Sequence, residues 1–269
     1  MPPRTTRLVR AFRWVRVVLH VAWGLWMTTA LYPRYTSSQR AECTQRWSGN
    51  LLRILNIRLA RHGLEPLDRP IKQCVVANHI SWLDIFVINA ACPARFVAKA
   101  EIRNWPIAGV LCERAGTLFI ERSRRHDTAR INAEIDAAFS AGDTVAIFPE
   151  GTTTAGDALL KFHASLLEPA VRNSALVQPV ALRYASPGGE TSIVAAFIDD
   201  TTFAQSMGRI IATPELYAEI TFAPPIAATG QSRRDLALAA ENAIAAILDV
   251  PQRRHQPAPS REATVAEAS

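Results

Sequence analysis

Ala77-Asn78-His79-Ile80-Ser81-Trp82-Leu83-Asp84 joins two apolar runs, Cys74–Ala77 and Ile85–Ala90. The first has the length of a buried strand, and the second continues as a helix. Strand, turn and helix in succession make one unit of an α/β layer fold. His79 falls in the turn, where the backbone holds a side chain toward a cleft. Asp84 follows five residues later. On one continuous helix the two would stand about 140° apart, so they meet only if the helix starts near Ser81. Ser81-Trp82-Leu83-Asp84 has the spacing of a capping box, which favours that start. A carboxylate on one ring nitrogen would fix the imidazole tautomer and leave the other nitrogen to take a proton from an alcohol. The competing reading has Asp84 as a helix cap and His79 as an ordinary turn residue. This segment alone does not separate the two.

Three further stretches bear on the choice: Gly116-Thr117-Leu118-Phe119-Ile120-Glu121-Arg122, Phe148-Pro149-Glu150-Gly151-Thr152, and Val177-Gln178-Pro179-Val180. With Asn78-His79-x-x-x-x-Asp84 they stand in the order and approximate spacing of the four motifs of the glycerolipid acyltransferases. From about residue 40 to about residue 225 the chain resembles the 1-acylglycerol-3-phosphate (lysophosphatidate) acyltransferase branch of that family. The resemblance implies that His79 activates the free hydroxyl of an acceptor lipid and that Asp84 orients His79. It implies a thioester cosubstrate, acyl-coenzyme A or acyl carrier protein, and no cofactor or metal. It also implies substrate contacts at Asn78, Gly116, Phe119, Arg122, Glu150, Gly151, Thr152 and Pro179.

Five of those residues have a physical reading of their own. Arg122 emerges from an apolar strand and offers a planar pair of donors to a phosphate. Gly116 lets the backbone approach a ligand. The Glu150-Gly151 turn offers backbone donors to a headgroup, and Pro179 shapes the acyl-donor side or sits on a strand edge. Many lysophosphatidate enzymes continue the third motif with arginine, but here Thr153 and Thr154 follow. The missing charge brings in a second acceptor, a lyso-ornithine lipid, whose headgroup lacks phosphate. Lys161 or Arg124 would have to replace that charge for a phosphate. A third reading is a non-catalytic peripheral membrane protein. Ser81 as a nucleophile is disfavoured by its place in the capping pattern and by the lack of a G-x-S-x-G elbow. Among the other histidines only His163 rivals His79, and it has no carboxylate at a recognisable spacing.

The net charge of +6 points to anionic partners, with lipid favoured over nucleic acid because no nucleic-acid motif is present. Cys43, Cys74, Cys92 and Cys112 form no C-x-x-C pair and read as reduced thiols of a cytosolic compartment. Arg4, Arg7, Arg10, Arg13 and Arg16 precede an apolar stretch, Val17 to Pro33. Seventeen helical residues reach about 25 Å against a hydrocarbon core of about 30 Å, so the stretch spans, re-enters or lies on a membrane. The arginines place its start on the cytoplasmic face of the inner membrane. The expected domains are a membrane-associated helical region over 1–62, an acyltransferase domain over 63–250 and a disordered tail over 251–269. The oligomeric state is open.

Strands expected at Cys74–Ala77, Arg95–Lys99, Thr117–Glu121, Thr144–Phe148, Leu176–Tyr184, Ser192–Ile198 and Tyr217–Phe222 alternate with helices. They give a mixed sheet of about seven strands flanked by helices, with membrane-associated helices ahead of it. Expected helices include 38–60, closed by Gly63, a broken helix over 101–115, and His126–Ala141, Leu159–Val171 and Ser232–Leu248.

Overall fold

The computed structural model describes residues 5–63, 72–120 and 125–253. In chain order, α1 (Arg7–Ala30) and α2 (Ser37–Ile54) lead into β1 (Ile57–Gly63), β2 (Gln73–Ala77) and α3 (Asp84–Ala91). β3 (Arg95–Lys99), α4 (Ala108–Arg114), β4 (Leu118–Ile120), α5 (Arg125–Ser140) and β5 (Val145–Ile147) follow. The chain continues through β6 (Leu159–Leu160), α6 (Glu168–Arg172), β7 (Leu176–Ala185), α7 (Phe203–Ala212) and β8 (Leu216–Phe222). It closes with β9 (Ile226–Ala227), α8 (Arg233–Leu248) and β10 (Gln252–Arg253).

The main sheet has eight strands in the order β1-β8-β7-β2-β5-β3-β4, with β9 paired beside β7. β2, β5, β3 and β4 run parallel to their neighbours, so their carboxyl ends share one edge. In such sheets ligands bind outside that edge. β2 is apolar on both sides because it is covered on both faces. Val75 and Ala77 pack with Leu51, Val87 and Ile210 from α2, α3 and α7. Cys74 and Val76 pack with Phe139, Ala170 and Ile244 from α5, α6 and α8.

Several expectations need correction. The tail read as disordered over 251–269 is ordered at its start, where β10 pairs with β6, and residues 254–269 lie outside the described residues. The helix read over 38–60 stops at Ile54, and β1 takes over. Asn56 stops it with φ 56°, a left-handed geometry that asparagine tolerates. Gly63 therefore ends a strand and not a helix. The helix read over Leu159–Val171 is instead β6, a 3-10 turn and the short α6. Pro169 cannot donate to a preceding turn, so a helix can only restart around it. Ser192–Ile198 is not a strand: it holds a 3-10 turn over Ile193–Ala195, capped by Ser192. The helix α7 that follows was not foreseen.

α1 is fastened to the domain by Arg13, one of the arginines that precede its apolar stretch. Arg13 is buried, and its guanidinium donates to the carbonyls of Ile211 at 3.0 Å, Thr213 at 2.6 Å and Pro214 at 3.0 Å. A cation there also meets the negative end of α7. No described helix is long and apolar enough to cross a membrane.

Candidate active site

The turn after β2 is held from every side. Asn78 donates to the Leu182 carbonyl at 3.0 Å and accepts from the Leu182 N–H at 2.7 Å, extending the β2–β7 ladder by one side chain. The helix does not start at Ser81 but at Asp84, and the capping box is only half made. Asp84 folds back to accept from the Ile80 and Ser81 N–H groups at 2.7 and 2.8 Å, while the Ser81 hydroxyl accepts from Leu83.

The same Asp84 oxygen, Oδ2, lies 2.8 Å from His79 Nδ1. Its other oxygen accepts from the Tyr184 hydroxyl at 2.7 Å. Asp84 is 0% exposed, so four donors surround a carboxylate cut off from water. Burial and the Asp84 charge push the Tyr184 phenol well above its usual range, so it remains a donor. Asp84 accepting at Nδ1 assigns the proton to that nitrogen and leaves Nε2 as the basic lone pair. The His79 side chain is 20% exposed. Its ring stacks on Phe148 with centroids 4.0 Å apart. The pair therefore has the arrangement of a general base and its orienting acid.

Glu150 was read as an acceptor-binding residue, but it stands behind His79. It is 0% exposed, with one oxygen accepting from the His79 N–H at 2.7 Å and the other from the Leu160 N–H at 2.9 Å. Thr154 donates its N–H to the His79 carbonyl at 2.9 Å, so both backbone groups of His79 are gripped by the third motif and the residues just after it. Burial, opposed by those two N–H groups and reinforced by the charges of Asp84 and Glu241, raises Glu150 to about 7.

That shift has a sign for stability. A carboxyl raised in the folded state binds protons that the unfolded chain has released. Stability therefore falls as pH rises from the ordinary 4.5 to about 7. The expected loss is about 3 kcal/mol at 1.36 kcal/mol per unit. Urea melts of the wild type and Glu150→Gln across that range should differ in slope by this amount, the wild type losing stability relative to the variant. Equal slopes would remove the assignment.

The other expected residues are placed as follows. Gly116 has φ 82° and ends α4, with Gly116 N–H donating to Glu113 and Thr117 N–H to Cys112. Its nearest neighbour is Arg95, whose Nε donates to the Gly116 carbonyl at 2.8 Å. Phe119 is buried beneath the Arg103 guanidinium, 4.8 Å from the ring centroid. Gly151 uses its N–H to close the turn on Phe148 at 3.1 Å and does not present it outward. Thr152 is exposed. Pro179 is not on a strand edge, because β7 lies between β8 and β2. Its carbonyl accepts from Ala223 just past β8, and its missing N–H falls on that same side, where pairing passes from β8 to β9. Arg122 and Arg124 lie outside the described residues. Tyr184, Phe148 and Thr154 were not singled out, and no local signal marks Tyr184. Among the described residues no group of three or more His, Cys, Asp or Glu stands together to hold a metal.

Known proteins resemble this chain in sequence and in fold. A family model described as Acyltransferase matches residues 58–183. A lyso-ornithine lipid O-acyltransferase of Pseudomonas aeruginosa is 37% identical over 205 residues, 76% of this chain and 78% of that protein. A 1-acyl-sn-glycerol-3-phosphate acyltransferase of Neisseria gonorrhoeae is 37% identical over 155 residues, 58% of this chain and 60% of that one. The crystal structure of the 1-acyl-sn-glycerophosphate (LPA) acyltransferase of Thermotoga maritima shares the fold, with a TM-score of 0.67 and 20% identity over 90% of this chain and 94% of that one. This chain belongs to the acyltransferase family. It is an enzyme of acyl transfer.

Proposed function

We propose that the protein moves a fatty acyl chain from a thioester to the free hydroxyl of a lysolipid, with His79 as the general base. The observation that carries this reading is the His79 Nδ1–Asp84 hydrogen bond at 2.8 Å, which leaves Nε2 without a partner among the described residues. His79 Nε2 takes the hydroxyl proton as the oxygen attacks the thioester carbonyl. The tetrahedral centre then expels the thiolate, which receives the proton back from the imidazolium. A new C–O bond replaces the C–S bond, and no nucleophile of the enzyme is consumed. The donor is acyl-coenzyme A or acyl carrier protein.

Two acceptors fit this chemistry. Thr153, where an arginine was expected, turns its hydroxyl onto the Phe197 carbonyl and contributes no charge. That favours an acceptor without phosphate, a lyso-ornithine lipid, the substrate named for the Pseudomonas aeruginosa relative. Lysophosphatidate is the second reading, supported by the exposed Lys99 at the carboxyl end of β3. Thr153→Arg should raise the preference for lysophosphatidate by about tenfold or more, since a hydrogen bond to a charged group is worth about 1.5–3 kcal/mol. Initial rates on both acceptors test this, and an unchanged ratio would remove Thr153 from specificity.

The enzyme works at a membrane surface, on the cytoplasmic face. Leu8, Phe12, Val15, Leu19, Trp23 and Trp26 form an exposed apolar stripe along α1, at spacings of three and four. With no described helix long and apolar enough to span, such a stripe lies in the interface beside the acceptor lipid.

A further inference from the structure

We infer that Glu241, on the C-terminal helix, is a positioning residue for His79: it holds the segment Leu159–His163 in place, and that segment holds Glu150 against the His79 backbone. The inference rests on the reading of His79 as the base. α8 lies wholly outside the segment matched by the family model, which ends at residue 183.

Five successive N–H groups carry the connection. Leu159 and Lys161 donate to the carbonyls of Pro251 at 3.0 Å and Arg253 at 3.1 Å, on the side of β10. Leu160 donates to Glu150 at 2.9 Å and Phe162 to Glu241 at 2.8 Å, on the opposite side. His163 donates to the Pro149 carbonyl at 2.9 Å, one residue before Glu150. A two-residue strand paired only to another two-residue strand has little rigidity of its own. The two buried carboxylates therefore fix where this segment lies. Glu241 is 7% exposed on a face otherwise formed by Leu236, Ala237, Ala240 and Ile244. Desolvating a carboxylate there for one backbone N–H is a poor way to gain stability, because a leucine would pack without that penalty. What the carboxylate supplies is a fixed position for Phe162 and, two bonds along, for Glu150.

Glu241 also acts on Glu150 through its charge. The charged groups acting on Glu150 are Asp84 from α3 and Glu241 from α8; Lys161 and His163, on the segment itself, are exposed. Protonated Glu150 grips its two N–H groups less well, because the hydroxyl oxygen of a carboxylic acid is a poorer acceptor than a carboxylate. Ionised Glu150 thus lowers stability and tightens the His79 turn at the same time.

The test uses the full-length enzyme in detergent, with two variants and two readouts. Glu241→Ala should lower kcat by about tenfold or more, leave both KM values in place, and speed amide exchange at His79 and Leu160. Glu241→Gln keeps an oxygen for Phe162 and loses only the charge. It should keep the plateau kcat and move the acid limb of the pH profile to lower pH. In a Glu150→Gln background that movement should vanish. The exchange readout needs no turnover, so it decides the inference even if the assigned reaction fails. Unchanged exchange at His79 in Glu241→Ala would overturn it. So would a Glu241→Gln profile identical to wild type, or a kcat loss that is fully recovered by cooling.

Discussion

Acyl transfer by a His79→Ala variant falls by about 10²–10⁴-fold, the usual contribution of a positioned general base. KM for both substrates stays near the wild-type value, because the imidazole gains its bond to the hydroxyl proton only as the proton moves. The fold survives the change. His79 is held by its backbone, through Glu150 and Thr154, and its ring makes one stacking contact with Phe148 and one bond to Asp84. Steady-state rates on a lysolipid, with circular dichroism as a check on folding, measure this. Full activity without the imidazole would remove the base mechanism outright.

The second large effect separates two substitutions of Asp84. Asp84→Ala leaves the Ile80 and Ser81 N–H groups, the Tyr184 hydroxyl and His79 Nδ1 without their acceptor at a position that is 0% exposed. Each unsatisfied buried group costs about 1–3 kcal/mol. The variant therefore loses activity to the extent of His79→Ala and melts well below wild type. Asp84→Asn behaves differently. Three donors converge on Oδ2 and one hydroxyl on Oδ1, so the amide oxygen takes the Oδ2 place and the NH₂ faces Tyr184. The hydroxyl can turn and accept. The tautomer of His79 is kept, and only the charge opposite the imidazolium is lost. A hydrogen bond to a charged group is worth about 1.5–3 kcal/mol, so losing the charge costs about 10–10²-fold in the developing ion pair. Rates in the order wild type, Asp84→Asn, Asp84→Ala are expected, with the thermal midpoint of Asp84→Asn close to wild type. A loss in Asp84→Asn as deep as in Asp84→Ala would mean that the amide takes the opposite orientation.

Much of the fold was legible, and the misreadings have physical causes. The run Cys74–Ala77 gave its strand because a strand covered on both faces is apolar throughout. The helix read over 38–60 failed at Asn56. Beyond it, Ile57-Arg58-Leu59 alternates with period two, but Ala60 and Arg61 break the alternation, so the run also fits a helix. α7 carried a readable start signal, because Thr202 and Gln205 form a reciprocal capping box. The polar run before it hid the signal. Pro169 marked a break in the helix read over 159–171 that the surrounding leucines and alanine masked.

At the site, the His79–Asp84 spacing allowed the contact without deciding it, because a helix cap has the same pattern; the three further motifs, in order, favoured the pair. The direction in which Glu150 points was not legible. Its neighbours depend on where β2 and β5 lie in the sheet and on a segment that wraps back from β6. Tyr184 meets Asp84 across 100 residues, and no pattern near either one encodes that meeting. Gly116 looked like a ligand contact and is a helix stop, the commoner duty of a glycine with positive φ.

The most direct measurement supplies the detergent-purified enzyme with one labelled acyl thioester and an equimolar mixture of lyso-ornithine lipid and lysophosphatidate, beside His79→Ala. The His79–Asp84 geometry predicts a diacylated product from the wild type, with lyso-ornithine lipid preferred, and almost none from the variant. Equal product from both proteins, or no acyl transfer to either lysolipid, would contradict it.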